Sequence, residues 1–128
     1  MYLKSFQDCP AFLAGDHTQI RELLHPNKDT VPLNYSLAHA SVGAGEASLP
    51  HILKRSSEVY VILQGEGEMH IDGETAPLKT GQLVYIPAGA KQHIVNTGTL
   101  ELQFLCIVDP PWAELDEEVL EGGRHIGG

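Results

Sequence analysis

Two side chains near the middle of this 128-residue chain have the types and spacing to gather around a metal ion or a small ligand. His51 and Leu53 alternate on one face of a short extended run, and Glu58 opens the next run, with Tyr60 and Ile62 on its face. The polar Lys54–Ser57 stretch between them reads as a turn, so the two runs fold together and His51 and Glu58 can point at one volume. A carboxylate among apolar neighbours is costly unless it is paired or bound to a cation. An imidazole nitrogen and a carboxylate oxygen suit a divalent ion of intermediate hardness. A direct His51–Glu58 hydrogen bond would satisfy both groups without metal. Glu58 could ligate the ion or shuttle a proton, and Tyr60 could offer its hydroxyl to a ligand or simply pack. His39 lies on the run before, where strand pairing could bring it beside His51.

The elements that must position these groups are strands. Turn signals at Gly43–Gly45, Gly65–Gly67, Asp72–Gly73, Thr80–Gly81, Pro87–Gly89 and Asn96–Gly98 separate short apolar runs, the pattern of an all-β sandwich or barrel. Strands are expected over residues 34–42, 47–54, 58–63, 68–72, 75–79, 83–86, 91–95 and 100–108. Asp72–Gly73 is a hairpin turn. Leu100, Leu102, Phe104, Cys106 and Val108 share one face by period two, as cavity lining or as core. His70 and Glu68 are expected to face outward. Asp16–Leu24 carries an Asp N-cap and helical spacing, with an extended strand as the alternative. Pro111–Leu120 is predicted to be an acidic helix, since Pro suits a helix start and early acids suit its dipole. Residues 122–128 read as a loose tail. Trp112 is expected over a barrel end or a dimer seam, and His17 and His25 at the surface or an interface.

Bulk composition narrows the partners. The formal net charge is −9 with only eight Lys and Arg, which argues against nucleic acid and against an anionic membrane surface. No stretch approaches the roughly 20 apolar residues of a membrane-spanning helix, and the first residues carry no secretory pattern. Cys9 and Cys106 are far apart and are expected as free thiols in a reducing cytoplasm. Tyr2, Leu3, Phe6, Phe12 and Leu13 form an apolar N-terminal segment that needs covering, which suggests a homodimer.

Two stretches resemble the conserved motifs of the cupin superfamily. Gly45, His51, Glu58 and Gly65 fall on the first motif; Gly81, Pro87, Gly89 and Asn96 fall on the second. The ending Phe104–Pro110 is similar to small single-domain cupins of the mannose-6-phosphate-isomerase-like type. The resemblance implies a double-stranded β-helix, or jelly-roll barrel, over residues 34–110. Residues 1–33 would form an N-terminal extension packing on the barrel or a dimer interface, and residues 111–128 a short acidic helix and tail. It also implies a mononuclear site for Mn, Fe, Ni or Zn at His51, Glu58 and Gln92, with His39 as a further candidate. Leu53 and Gln92 stand where the family has two more histidines, and His93 should point the other way. The implied function is isomerase-type or dioxygenase-type chemistry on a small sugar-like or keto-acid substrate, with Glu58 and Tyr60 catalytic. The alternative is a non-catalytic small-molecule binder that has lost metal ligands.

Overall fold

The computed structural model describes residues 1–120. The 122–128 tail expected from sequence lies outside them. Eleven strands run in chain order: β1 Ala11–Leu13, β2 Gln19–Leu24, β3 Ser36–Val42, β4 His51–Leu53, β5 Ser57–Gln64, β6 Glu66–Ile71, β7 Glu74–Lys79, β8 Leu83–Ile86, β9 Gln92–Asn96, β10 Leu102–Asp109 and β11 Glu117–Val119. They form a six-stranded sheet, β1-β2-β3-β10-β5-β8, and a five-stranded sheet, β11-β4-β9-β6-β7. From β3 to β10 the chain passes repeatedly from one sheet to the other, which makes the expected jelly-roll.

Period-two patterning fixes which face is inside. In β10, Leu102, Phe104, Cys106 and Val108 are buried, whereas Gln103, Leu105 and Ile107 are half-buried on the outer face. In β5 the buried set is Glu58, Tyr60 and Ile62. Leu102, Phe104, Cys106, Tyr60 and Ile62 form one core with Met69, Ile94 and Ala40 between the sheets. Asp72 and Gly73 both take positive φ in the β6–β7 hairpin, the geometry a two-residue turn needs to match strand twist. Gly65, at φ 89°, passes so close to the β10 start that a Cβ would lie 3.2 Å from the Glu101 carbonyl and 3.3 Å from Leu102 Cα.

Neither expected helix forms. For the first segment the extended alternative holds: Gln19–Leu24 is strand β2, paired antiparallel with β1 and β3. The Asp16 side chain, read as a helix cap, instead accepts hydrogen bonds from Thr18. Pairing along a sheet edge outweighs a weak helical pattern of a few aliphatic residues. Over residues 111–120 the chain makes one 3₁₀ turn, Glu114–Asp116, and then β11. Here Asp116 is drawn away from any helix. Its carboxylate accepts from the Arg55 and Ser56 backbone N–H groups at 2.7 and 3.1 Å. It thereby ties the C-terminal segment to the β4–β5 turn and delivers β11 onto β4.

Candidate metal centre

His51 is buried on β4, and its ring is oriented by the backbone. Nδ1 lies 2.8 Å from the Leu49 carbonyl, which can only accept, so Nδ1 carries the proton and donates. Nε2 is thereby left to face inward, where Asp16 Oδ2 lies 3.6 Å away. Asp16 sits in the β1–β2 connection and is fixed by its own neighbours. Its Oδ1 accepts from Thr18 N and Oγ1 at 3.1 and 2.6 Å, and its carbonyl accepts from Leu49 N at 2.7 Å. Residue 49 thus fastens both the loop that carries Asp16 and the imidazole it faces.

The third member is Glu117. In the β11–β4 ladder it lies directly opposite Leu53, the position where a ligand is missing from the sequence motif. One ligand atom each from Asp16, His51 and Glu117 lies within 4.8 Å of the others. Two ligands on a tetrahedral zinc ion are separated by roughly 3.4 Å, given bonds of about 2.1 Å, so the cluster needs only small rotations to close on a cation. One imidazole and two carboxylates suit a divalent ion of intermediate to hard character. Burial raises the Glu117 carboxyl above the ordinary carboxylate range, His51 opposes that shift, and the Trp112 side chain donates a hydrogen bond to it.

The other expected site residues are arranged differently. Glu58, Tyr60 and Gln92 form a buried chain: Tyr60 Oη donates to Gln92 Oε1 at 2.9 Å, and Gln92 Nε2 donates to Glu58 Oε1 at 3.1 Å. The Gln92 oxygen, expected as a ligand, is engaged by Tyr60. Glu58 belongs to this chain and not to the three-residue cluster. Desolvation pushes its carboxyl up to about 8, against the lowering effect of the Gln92 hydrogen bond. The Tyr60 phenol and Cys106 thiol are also pushed up by burial and by Glu58.

His39 is on the opposite face of β3 from Ala38 and Ala40, which line the cavity. It packs edge-on against Phe6 at 4.5 Å and meets Gln103 Oε1 at 3.1 Å, so it is not brought beside His51. His93 stacks on His70 outside the five-stranded sheet, and His70 also contacts Glu68 at 2.9 Å. His25 is buried rather than superficial: its Nδ1 accepts from Asn27 N and its Nε2 donates to the Trp112 carbonyl.

The triad and the Glu58 and Tyr60 side chains meet at a cavity of about 260 Å³ between the sheets. Asp16, His51, Glu117, Glu58 and Tyr60 supply its polar wall, and Trp112 stands at its edge. Asp16 and Glu117 were not foreseen from sequence. Both come from segments read as helical, and only the pairings of β2 and β11 reveal where they point.

Residues 38–108 match the Cupin_2 family model, described as the cupin domain. The chain is a cupin. It is 40% identical over 110 residues to an uncharacterized protein of Methanocaldococcus jannaschii, covering 86% of this chain and 87% of that one. A 51-residue stretch, 40% of this cupin and 42% of the relative, is 39% identical to an oxalate-binding protein of Thermotoga maritima. The fold superposes with a TM-score of 0.75 on a predicted oxalate decarboxylase of Thermotoga maritima, at 22% identity, covering 85% of this cupin and 99% of that chain.

The metal positions that the family implies do not fit here as a set: Leu53 cannot ligate and Gln92 is held by two neighbours. The Asp16–His51–Glu117 cluster does fit. It keeps the one motif histidine and completes it from the N- and C-terminal segments.

Proposed function

We propose that this cupin is a metal-dependent enzyme that moves a proton on a small oxygen-bearing substrate, an isomerase-type reaction. The observation that carries the reading is the buried triad of Asp16, His51 and Glu117, with Nε2 of His51 kept free by the Leu49 carbonyl. A bound divalent ion would supply Lewis acidity to a substrate carbonyl or hydroxyl oxygen.

The chain's own residues do the rest. Glu58 lines the same cavity and holds its proton at neutral pH, because burial disfavours the charged form. Gln92 Nε2 occupies Oε1, which leaves Oε2 to carry that proton. A carboxyl poised about one unit above neutrality can both give and take a proton near working pH. This favours isomerisation over dioxygenase chemistry, which has no special use for such a group. Tyr60 positions Gln92, and through it Glu58. The names of the Thermotoga maritima relatives, an oxalate-binding protein and a predicted oxalate decarboxylase, support a small carboxylate- or carbonyl-bearing ligand.

A non-catalytic binding role is the second reading. The complete Tyr60–Gln92–Glu58 hydrogen-bond chain favours it, since those groups are satisfied without a ligand. Metal analysis separates the two. Protein purified without chelator or affinity metal should carry close to one equivalent of divalent ion. His51→Ala, Asp16→Asn and Glu117→Gln should each lose it, and His93→Ala should not. A protein that takes up no metal under any supplementation leaves the binding role, with His51 simply paired to its two carboxylates.

A further inference from the structure

The substrate class follows from what lines the cavity opposite the triad, and this step rests on the metal reading above. His51 and Glu117 stand on the five-stranded sheet. The facing wall, from the six-stranded sheet, presents Ile20, Ala38, Ala40, Phe104, Cys106 and Val108, with the Ser36 hydroxyl at its end engaged by the Trp112 N–H. Two alanines in the middle of that wall, on β3, leave the space open. Glu58 and Tyr60, the polar groups of β5, lie to one side.

Charge narrows the class further. Four carboxyl groups, Asp16, Glu22, Glu58 and Glu117, line the cavity, and of these Glu22 is paired with a lysine. Among the described residues lining it, the one ammonium or guanidinium is Lys28, which is largely exposed and ion-paired to Glu22 at 2.8 Å. A divalent ion offsets two carboxylates, so a ligand bringing one negative charge adds little repulsion. A phosphate or second carboxylate would enter beside carboxyl groups with no buried cation to receive it.

Size closes the argument. A volume of about 260 Å³ equals roughly nine water volumes at about 30 Å³ each. Oxalate, with six heavy atoms, would leave the apolar wall uncovered.

We propose that the cavity takes a small ligand with one chelating oxygen head and a hydrocarbon tail, carrying at most one negative charge, as in a 2-oxo or 2-hydroxy monocarboxylic acid of four to six carbons. The head meets the triad and the tail lies on the alanine-lined wall.

Calorimetric titration of the metal-loaded full chain tests this with pyruvate, 2-oxobutanoate, 2-oxopentanoate and 4-methyl-2-oxopentanoate, beside oxalate and mannose 6-phosphate. Affinity should rise roughly fourfold per added methylene, the ratio that corresponds to about 0.8 kcal/mol per buried CH₂. Oxalate and mannose 6-phosphate should bind more weakly than the longest acid. Ala38→Leu should fill the tail space and remove the chain-length gain while metal content stays at wild-type level. Phe12→Ser, at a half-exposed edge-strand position on the cavity mouth, should flatten the series without threatening the fold. A flat series, or tightest binding by oxalate or mannose 6-phosphate, with metal bound overturns the proposal and leaves the metal reading intact. A chain that loads no metal overturns both.

Discussion

Replacing Glu58 by Gln should convert a pH-dependent stability into a pH-independent one at that site. Burial holds the Glu58 carboxyl at about 8 in the folded chain, against an ordinary 4.5 when exposed. The folded state therefore keeps a proton that the unfolded chain releases. The stability this contributes is full below about pH 4.5 and is lost progressively as pH rises towards 8. Each pH unit inside that window costs about 1.4 kcal/mol, so between pH 5 and pH 7 the native protein gives up about 2.7 kcal/mol through this group alone. Glu58→Gln keeps the shape, and the amide oxygen can still accept from Gln92 Nε2, but the substituted side chain has no ionisation to resist. Urea unfolding of both proteins at pH 5, 6, 7 and 8, with a chelator present, isolates the effect because every other titrating group is shared. The gap between the variant and the wild type should widen in the variant's favour by about 2.7 kcal/mol from pH 5 to pH 7. In a domain of this size that corresponds to a relative rise in Tm of about 10 °C. Parallel profiles, with the gap constant to about 0.5 kcal/mol, would show that Glu58 ionises normally and would remove the proton carrier from the proposed mechanism.

Other outcomes follow from the same geometry. Asp116→Ala leaves the Arg55 and Ser56 N–H groups without their carboxylate; it should cost about 3 kcal/mol in urea unfolding and also weaken metal uptake, because Glu117 is the next residue. Metal affinity that is unchanged in the folded variant would separate Glu117 from this clamp. Cys106 should resist maleimide in the native state at neutral pH, since the thiol is buried and pushed up, and should react readily once unfolded; fast native labelling would contradict its placement in the cavity wall. The homodimer is proposed to form on the outer face of the six-stranded sheet, where Val61 lies between Leu83 and Leu105, and Val59 between Tyr85 and Ile107. Leu83 and Tyr85 are 65% and 60% exposed there. Sedimentation at tens of micromolar should give a dimer that Leu83→Asp with Tyr85→Asp converts to a folded monomer, and a wild-type monomer would refute the pairing.

The barrel was legible because local chemistry dictates it. Asp72–Gly73 can only turn tightly, and the alternation through Leu102 to Val108 sorts the faces of β10 without any long-range information. The inward orientation of His51, Glu58, Tyr60 and Gln92 was readable for the same reason, since each lies at a fixed parity from an apolar neighbour. Helix was preferred over the extended alternative at Asp16–Leu24, and read over Pro111–Leu120, because an Asp cap, a Pro and early acids resemble helix starts, and sequence does not reveal that the Asp16 and Asp116 carboxylates serve Thr18 and the Arg55–Ser56 backbone. His39 was placed on the wrong side for a related reason. Pairing tells which residues are neighbours along a ladder, but Ala38 and Ala40 hold the inward positions of β3 and leave His39 under Phe6.

Misplacing those two segments also hid the site, because the triad is assembled from three separate parts of the chain. His51 comes from the barrel motif, Asp16 from the β1–β2 connection and Glu117 from β11. Glu117 faces the cavity from the strand beside Leu53, so a carboxylate one strand over stands in for a side chain that β4 lacks. A sheet permits this exchange because cross-strand partners point the same way from about 5 Å apart. The consequence is mechanical as well as chemical. Leu49 bonds to Asp16 through its N–H and to His51 through its carbonyl, and the residue preceding Glu117 clamps the β4–β5 turn. Docking of either terminal segment and formation of the centre are therefore one event, and a ligand that closes the triad should also tighten the attachment of β1–β2 and β11 to the barrel.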